Sequence, residues 1–226
     1  MELNADFSKR AVVHAAQIDW VASPMPGVDR RMLDRLGDEV ARATSIVRYA
    51  PKSSFSTHTH TGGEEFFVLE GVFQDEHGDF PAGTYVRNPP KSAHTPGSKP
   101  GCTIMVKLWQ FEPNDPTFTR IDTNKMAFVD VAGRDNVEIM PLFSDGREDV
   151  SLERWASGAT IPLDAPDGME VFVLEGGFAE GHDDFAVHSW LRLPKSRATT
   201  VTVGAQGAKV WIKRDHLAQA PQPPSV

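Results

Sequence analysis

The chain has 226 residues with a formal net charge of −8, and 40% of the residues are hydrophobic and 24% charged. This length is enough for one large domain or for two domains of about 100 residues each. The acidic balance argues against a nucleic-acid or membrane surface, and no apolar run approaches the roughly 20 residues of a membrane-spanning helix. The single cysteine, Cys102, excludes an internal disulfide framework. Because residues 1–7 also lack a signal-peptide pattern, we expect a cytoplasmic protein.

The first part of the chain has strand-like rather than helical patterns. Residues 11–20 form one mixed segment that ends at a loop rich in proline and glycine, as in an edge strand or an arm on a partner subunit. Residues 30–43 have the nearest approach to helical spacing, but Gly37 interrupts it. We therefore expect short strands up to about residue 50.

Two histidines separated by one residue, His58 and His60, are followed four positions later by Glu64 and then by an apolar run. Side chains alternate faces along a strand, so the two imidazoles point the same way. A glycine-containing link precedes Glu64 and allows a hairpin to bring it back beside them. This set suits a divalent metal ion, whereas the alternative is a solvent-exposed strand rich in Thr and His.

Short strand-like segments separated by Gly and Pro turns continue from residue 65 to residue 109. This pattern predicts an all-β antiparallel sandwich or barrel. His94 lies in one of the connecting segments. Residues 111–116 are a linker candidate, so we predict a metal-binding domain at 1–112 and a second domain at 113–226.

An internal repeat supports this division. The apolar strand at residues 65–73 recurs at residues 170–178, an offset of 105, and Arg87 falls on Arg192 at the same offset. The offset becomes 106 further upstream and downstream. Two homologous units of about 105 residues explain this pattern better than chance.

The second unit lacks the candidate ligands of the first. Their positions hold other residues: Met169 for Glu64, Thr199 for His94, and residues near Leu163 and Ala165 for His58 and His60. The apolar strand and its turn glycine remain. The strand-and-turn scaffold thus occurs in both units, whereas the candidate ligands occur only in the first. This difference favours a metal-binding role for those residues.

Glu65 and Arg87 are retained in the second unit, as Glu170 and Arg192. Retention without the ligands favours structural roles. We expect Glu65 to face away from Glu64 as part of the sheet surface, and Arg87 to form an ion pair.

The metal-site residues resemble the two motifs of the cupin superfamily. The matching pattern is His58-x-His60-x3-Glu64-x6-Gly71, followed by Gly83-x5-Pro89 and His94. Two family glycines are replaced, by Lys52 before the first motif and by Lys91 in the second. The second unit has Gly158 at the place of Lys52.

The sequence around the motifs, at residues 62–75 and 87–96, resembles the ChrR-type cupin. This is the C-terminal domain of an anti-sigma factor that responds to singlet oxygen. The resemblance implies two tandem cupin-like β-sandwich or jelly-roll barrels and a zinc-type site at His58, His60, Glu64 and His94. Anti-sigma activity in that family belongs to a separate N-terminal helical domain with a His/Cys cluster. Residues 1–45 offer only His14, so we expect no sigma-factor binding.

The first-ranked function is a metal-binding, ChrR-like sensor or regulatory (anti-sigma-factor-related) module. The alternative is a dioxygenase that uses Fe(II) or another divalent metal on a small ketone-like substrate. A cupin that stores or isomerises a sugar or acid ranks third. Zinc is the expected ion, with iron, manganese and nickel as alternatives. We expect a small-molecule ligand in the N-terminal barrel and no nucleic-acid or membrane partner, and we leave a homodimer open.

Overall fold

The computed structural model describes residues 2–38 and 40–224, and strands make up nearly all of their regular structure. The strands are β1 (Ala11–His14), β2 (Val21–Ala22), β3 (Val28–Gly37), β4 (Ala41–Tyr49), β5 (Ser53–Ser54), β6 (His58–His60), β7 (Glu64–Asp75), β8 (Gly78–Pro81), β9 (Thr84–Asn88), β10 (Ser92–His94), β11 (Gly97–Ser98), β12 (Cys102–Leu108), β13 (Thr119–Asp122), β14 (Val129–Asp130), β15 (Val137–Ser144), β16 (Asp149–Trp155), β17 (Thr160–Ala165), β18 (Met169–Glu180), β19 (Asp183–Phe185), β20 (Ser189–Leu193) and β21 (Arg197–Arg214). Two 3₁₀-helices, η1 (Ala15–Gln17) and η2 (Thr123–Lys125), complete the elements. The predicted all-β class is confirmed. Within the described residues, no helix has the length and apolar character needed to cross a membrane.

The described chain divides into two compact units. The first unit contains residues 2–5, 19–125 and 222–224, and the second contains residues 6–18 and 126–221. Compactness thus assigns residues 6–18, 113–125 and 222–224 differently from the sequence-based boundary between residues 112 and 113. That boundary stays a prediction about two homologous units.

The first unit is built on a ten-stranded antiparallel sheet. Its main path runs β13-β9-β7-β12-β4-β3-β2, with β5, β8 and β11 attached beside it, while β6 and β10 form a separate two-stranded sheet. Side chains alternate faces along β7, so Phe66 and Val68 both point into one core. They pack there with Val86, Ile104 and Val106.

The second unit repeats this order in a nine-stranded antiparallel sheet. Its path is β1-β20-β18-β21-β16-β15-β14, with β17 on β21 and β19 on β18. Strand β18 begins at Met169, 105 residues after β7 begins at Glu64. Its core includes Val171, Val173, Leu191, Val210 and Ile212.

The repeated turn glycine has a structural reason in both units. Gly71 has φ of 71°, and a Cβ there would lie 2.0 Å from the Gly101 carbonyl oxygen. Gly176 has φ of 66°, and a Cβ there would lie 2.0 Å from the Gly207 carbonyl oxygen. Only glycine allows both this backbone conformation and this approach, so the repeat retains it regardless of the ligands.

The expectation that Glu65 lies on the sheet surface is wrong. Glu65 is 1% exposed, and the strand register places it opposite Arg87 on one side and Lys107 on the other. Arg87 Nη1 lies 3.4 Å from Glu65 Oε1, which is the expected structural ion pair. A carboxylate on the face opposite the barrel core is stable when buried because cationic side chains from neighbouring strands flank it.

Lys52 and Lys91, which stand where the cupin motifs have glycine, both adopt a left-handed backbone conformation. Their φ angles are 63° and 71°, and the corresponding Gly158 and Ser196 have φ of 69° and 60°. The left-handed region costs a residue with a Cβ about 1–2 kcal/mol. The two units therefore share the backbone conformation of both turns although the side chains at these positions differ.

We expect Lys52→Gly to stabilise the protein by about 0.5–1 kcal/mol, because relief of the left-handed strain exceeds the added entropy of glycine in the unfolded chain. The reciprocal Gly158→Lys should destabilise by a similar amount, since nothing lies within 4 Å of a Cβ there and only the backbone is tested. Urea denaturation of both variants measures the effect. Equal stability of both variants and the wild type would contradict it.

Candidate metal centre

Two short strands bring three histidines to one face. In the sheet formed by β6 and β10, His94 pairs with His58, and Ser92 pairs with His60. Directly opposite residues share a face, and so do residues two apart on one strand. His58, His60 and His94 therefore point to one side. The turn after β6 returns the chain so that β7 begins at Glu64.

The ligand atoms of the three histidines lie within 4.8 Å of one another and form a group able to hold a metal ion. His60 Nε2 is 2.9 Å from His94 Nε2. Glu64 Oε2 is 3.4 Å from His60 Nε2 and 3.6 Å from His94 Nε2. Donors bound at about 2.1 Å to one ion lie about 3.0–3.4 Å apart, so these side chains fit a divalent ion.

Hydrogen bonds at the far side of two rings orient the nitrogens that face the cluster. His94 Nδ1 lies 3.2 Å from Asp75 Oδ2, and His58 Nδ1 lies 3.2 Å from the Ser56 carbonyl oxygen. Each contact favours a proton on Nδ1 and leaves Nε2 free to bind an ion. Asn88 Nδ2 donates to Glu64 Oε2 at 3.2 Å and fixes that carboxylate.

Sequence reasoning identified the four residues that meet here and missed Asp75 and Asn88. Asp75 ends β7 and reaches His94 from the β7–β8 hairpin, whose Glu76 also accepts a hydrogen bond from the Thr95 N–H at 2.8 Å. Asn88 ends β9, opposite Glu64 in the register. No local motif marks either residue; only the pairing of distant strands does.

The two buried imidazoles have opposite pKa shifts. Burial lowers the pKa of His60, and the Glu64 carboxylate offsets this only in part. Burial also acts to lower the pKa of His94, but the hydrogen bond to Asp75 and the charge of Glu64 outweigh it and raise the pKa. The same hydrogen bond holds the pKa of Asp75 below its usual range, although burial alone would raise it. Asp75 therefore stays ionised and supports His94.

Metal affinity should fall as the pH drops, beginning above pH 6.5. In the imidazolium form of His94 an ion must displace the proton on Nε2, and the raised pKa of His94 keeps that proton bound at higher pH than in an ordinary histidine. Chelator competition at pH 5.5, 6.5 and 7.5 measures the dissociation constant. The Asp75→Asn variant should shift the loss to lower pH. Tighter binding at pH 5.5 than at pH 7.5 would contradict the prediction.

The second unit keeps the strand register of the site without its donors. Leu163 pairs with Thr199 where His58 pairs with His94. The replacements Leu163, Ala165 and Met169 are each 1% exposed and pack in the core. Among the described residues of the second unit, no three His, Cys, Asp or Glu side chains bring their ligand atoms within 4.8 Å of one another.

The second unit keeps a contact at the positions of Asp75 and His94, and there an arginine also binds the carboxylate. Thr199 Oγ1 donates to Glu180 Oε1 at 2.7 Å, in the place of the contact between His94 and Asp75. Arg10 Nε donates to the other oxygen of Glu180 at 3.0 Å. An arginine therefore neutralises the supporting carboxylate where no metal ligand remains.

Solved structures with similar folds span nearly the whole chain. A candidate dioxygenase from Nostoc punctiforme PCC 73102 is 15% identical, with a TM-score of 0.75, over 97% of this chain and 87% of that one. A candidate glyoxylate-induced protein from Pseudomonas aeruginosa is 15% identical, with a TM-score of 0.72, over 95% and 90%. A Cupin 2 conserved barrel domain protein from Leptotrichia buccalis is 12% identical, with a TM-score of 0.58, over 86% and 91%. The fold is a cupin fold.

The sequence comparison agrees with this cupin architecture. Residues 8–112 match the family model described as ChrR Cupin-like domain. This range contains all four candidate ligands and the supporting Asp75 and Asn88. No curated protein sequence gives a significant match to the chain.

Proposed function

We propose that the first cupin unit binds one divalent ion through His58, His60, Glu64 and His94 and acts as a metal-dependent oxygenase on a small ketone-like substrate. The observation that carries this is a gradient of burial across the cluster. Glu64 is 5% exposed and His94 3% exposed, whereas His58 lies on the more exposed strand β6. An ion held from the buried side keeps a side that a small oxygen-donor ligand can approach from solvent.

The residues of the chain prepare this site before any ligand arrives. Asp75 keeps a proton on His94 Nδ1, and the Ser56 carbonyl favours the same tautomer at His58. Asn88 donates to Glu64 and limits its rotation. A bound divalent ion would supply Lewis-acid polarisation of a substrate oxygen, and a redox-active ion such as iron would add oxygen chemistry. The likeness to a candidate dioxygenase supports this choice of reaction class.

A metal-binding sensor of the ChrR type is the second candidate. Glu64 supports it, because three imidazoles and one carboxylate are enough to close a tetrahedral Zn(II) and leave no position for a substrate. The match of residues 8–112 to the ChrR Cupin-like model also favours it. Binding of a sigma factor is not part of this candidate.

Metal analysis combined with oxygen uptake separates the two candidates. The protein is purified without a histidine tag, its bound metals are measured, and the apoprotein is loaded with Fe(II), Mn(II), Ni(II) or Zn(II). Oxygen consumption is then followed on a panel of small ketones, with a His60→Ala variant treated in the same way as the matched control.

We expect oxygen uptake with the Fe(II) form that depends on both the ketone and His60. Tightly bound zinc with no turnover of any loaded form would contradict the oxygenase proposal and favour the sensor. Turnover by the iron form would exclude a purely sensory role. Equal uptake by the His60→Ala control would mean that the iron acts outside the proposed site.

A further inference from the structure

A tryptophan with an unusual backbone conformation adjoins the turn between two metal ligands. Trp109 has φ of 58°, a left-handed value that bulky residues seldom adopt. It follows β12, whose last residue, Leu108, pairs with Glu64. The Trp109 N–H donates to the Gly63 carbonyl at 3.2 Å, and the Gly63 N–H donates to the His60 carbonyl at 3.2 Å. Backbone contacts therefore connect Trp109 with the turn from His60 to Glu64.

The indole ring of Trp109 lies directly on Gly62 in the same turn. A Cβ added to Gly62 would lie 2.1 Å from Trp109 Cδ2 and 2.3 Å from Cε3, so the ring fills the space that any side chain would need. The next glycine is covered in the same way, because a Cβ on Gly63 would lie 2.5 Å from Phe111 Cδ2. Two aromatic rings thus cover the link between β6 and β7.

The second unit keeps the backbone of this arrangement but not the indole. Asp215, at the position of Trp109, has φ of 67° and donates its N–H to the Gly168 carbonyl at 2.9 Å. Leu217 covers Gly168, as Phe111 covers Gly63. The position of Gly62 is occupied by Asp167. Backbone and apolar cover are thus common to both units, whereas the pair of Trp109 and Gly62 occurs only where the four ligands occur.

We infer that Trp109 is a positioning residue for the metal centre: its indole presses on Gly62 and fixes the turn that sets the separation of His60 and Glu64. The strained backbone places the ring on the turn, and the absent side chain at Gly62 lets it approach. A rigid turn holds donors in binding geometry without further ordering, which raises affinity. This inference rests on the proposed metal site.

A double-mutant cycle tests whether Trp109 and Gly62 act through their contact. The variants are Trp109→Asp, which introduces the second unit's residue, Gly62→Ala and the double variant. Trp109→Phe is the conservative rescue, and Ile104→Val in the barrel core is the matched control for general destabilisation of the first unit. Co(II) is the probe, with its visible spectrum reporting donor geometry and chelator competition reporting affinity.

We expect Trp109→Asp to weaken Co(II) binding by about 10–100-fold and to alter the Co(II) spectrum, as for other groups that orient metal ligands. Gly62→Ala should weaken binding because its methyl displaces the indole. The double variant should match Trp109→Asp to within about twofold, since the contact is already lost. Trp109→Phe should restore most of the affinity, and Ile104→Val should leave the spectrum unchanged.

The outcomes distinguish this inference from the proposed function. If the wild-type protein binds no Co(II) through its histidines, the metal site itself fails. If the wild type binds and Trp109→Asp binds equally well with the same spectrum, the positioning role is wrong. Additive losses in the cycle would also overturn it, as would a similar spectral change in Ile104→Val.

Discussion

Replacing His60 with alanine is expected to remove metal binding. His60 Nε2 lies 2.9 Å from His94 Nε2 and 3.4 Å from Glu64 Oε2, so it is close to both of the buried ligands. Loss of an orienting group alone costs roughly 10–100-fold in affinity, and loss of a direct donor should exceed this. Elemental analysis should show about one ion per wild-type chain and almost none in the variant.

The matched control is His182→Ala. His182 is an exposed histidine of the second unit, at the position that corresponds to His77 in the repeat. Its removal tests whether surface histidines contribute to the measured metal. We expect its metal content to equal that of the wild type. Full metal retention by His60→Ala would refute the site, and metal loss in both variants would show that the loss is not specific to the site.

The outline of the site was predictable because it depends on local regularities. Alternation along a strand predicted that His58 and His60 share a face, and the register of β6 with β10 agrees. The family resemblance added His94. The internal repeat predicted the second sheet, since the spacing of apolar residues and turn glycines is a property of the chain itself.

The rest depends on contacts between distant strands. Asp75 supports His94 across the β7–β8 hairpin, and Asn88 reaches Glu64 from β9, so neither role has a signature in the neighbouring sequence. The burial of Glu65 was predicted wrongly for a similar reason. Alternation tells which face of a strand a residue occupies, but whether that face is covered depends on the tertiary structure. Because Glu65 is retained as Glu170 in a unit without the ligands, a structural role was predictable. The repeat does not tell whether such a residue is exposed or buried.

The buried pair of Glu65 and Arg87 leads to the largest expected effect on stability. Their side chains are 1% and 0% exposed. Arg87 Nη2 also lies 3.4 Å from Asp115 Oδ2, and the guanidinium lies 4.3 Å from the centre of the Phe111 ring. The Tyr85 hydroxyl donates to Glu65 as well. Arg87 thus contacts two carboxylates from different segments, and the strand register places Lys107 beside Glu65 as well.

Arg87→Met should lower the free energy of unfolding by about 3–5 kcal/mol, because it removes the guanidinium that balances the buried Glu65 carboxylate. Adding Glu65→Gln to this variant should recover part of the loss, since the amide carries no charge to desolvate. Lys125→Ala is the control: its ion pair with Asp122 is exposed, with the lysine side chain 82% accessible, and its loss should leave the stability close to that of the wild type. Urea denaturation compares the four proteins. A loss below 1 kcal/mol for Arg87→Met would mean that the pair contributes only to packing. No recovery in the double variant would mean that the charge of Glu65 does not cause the loss of stability.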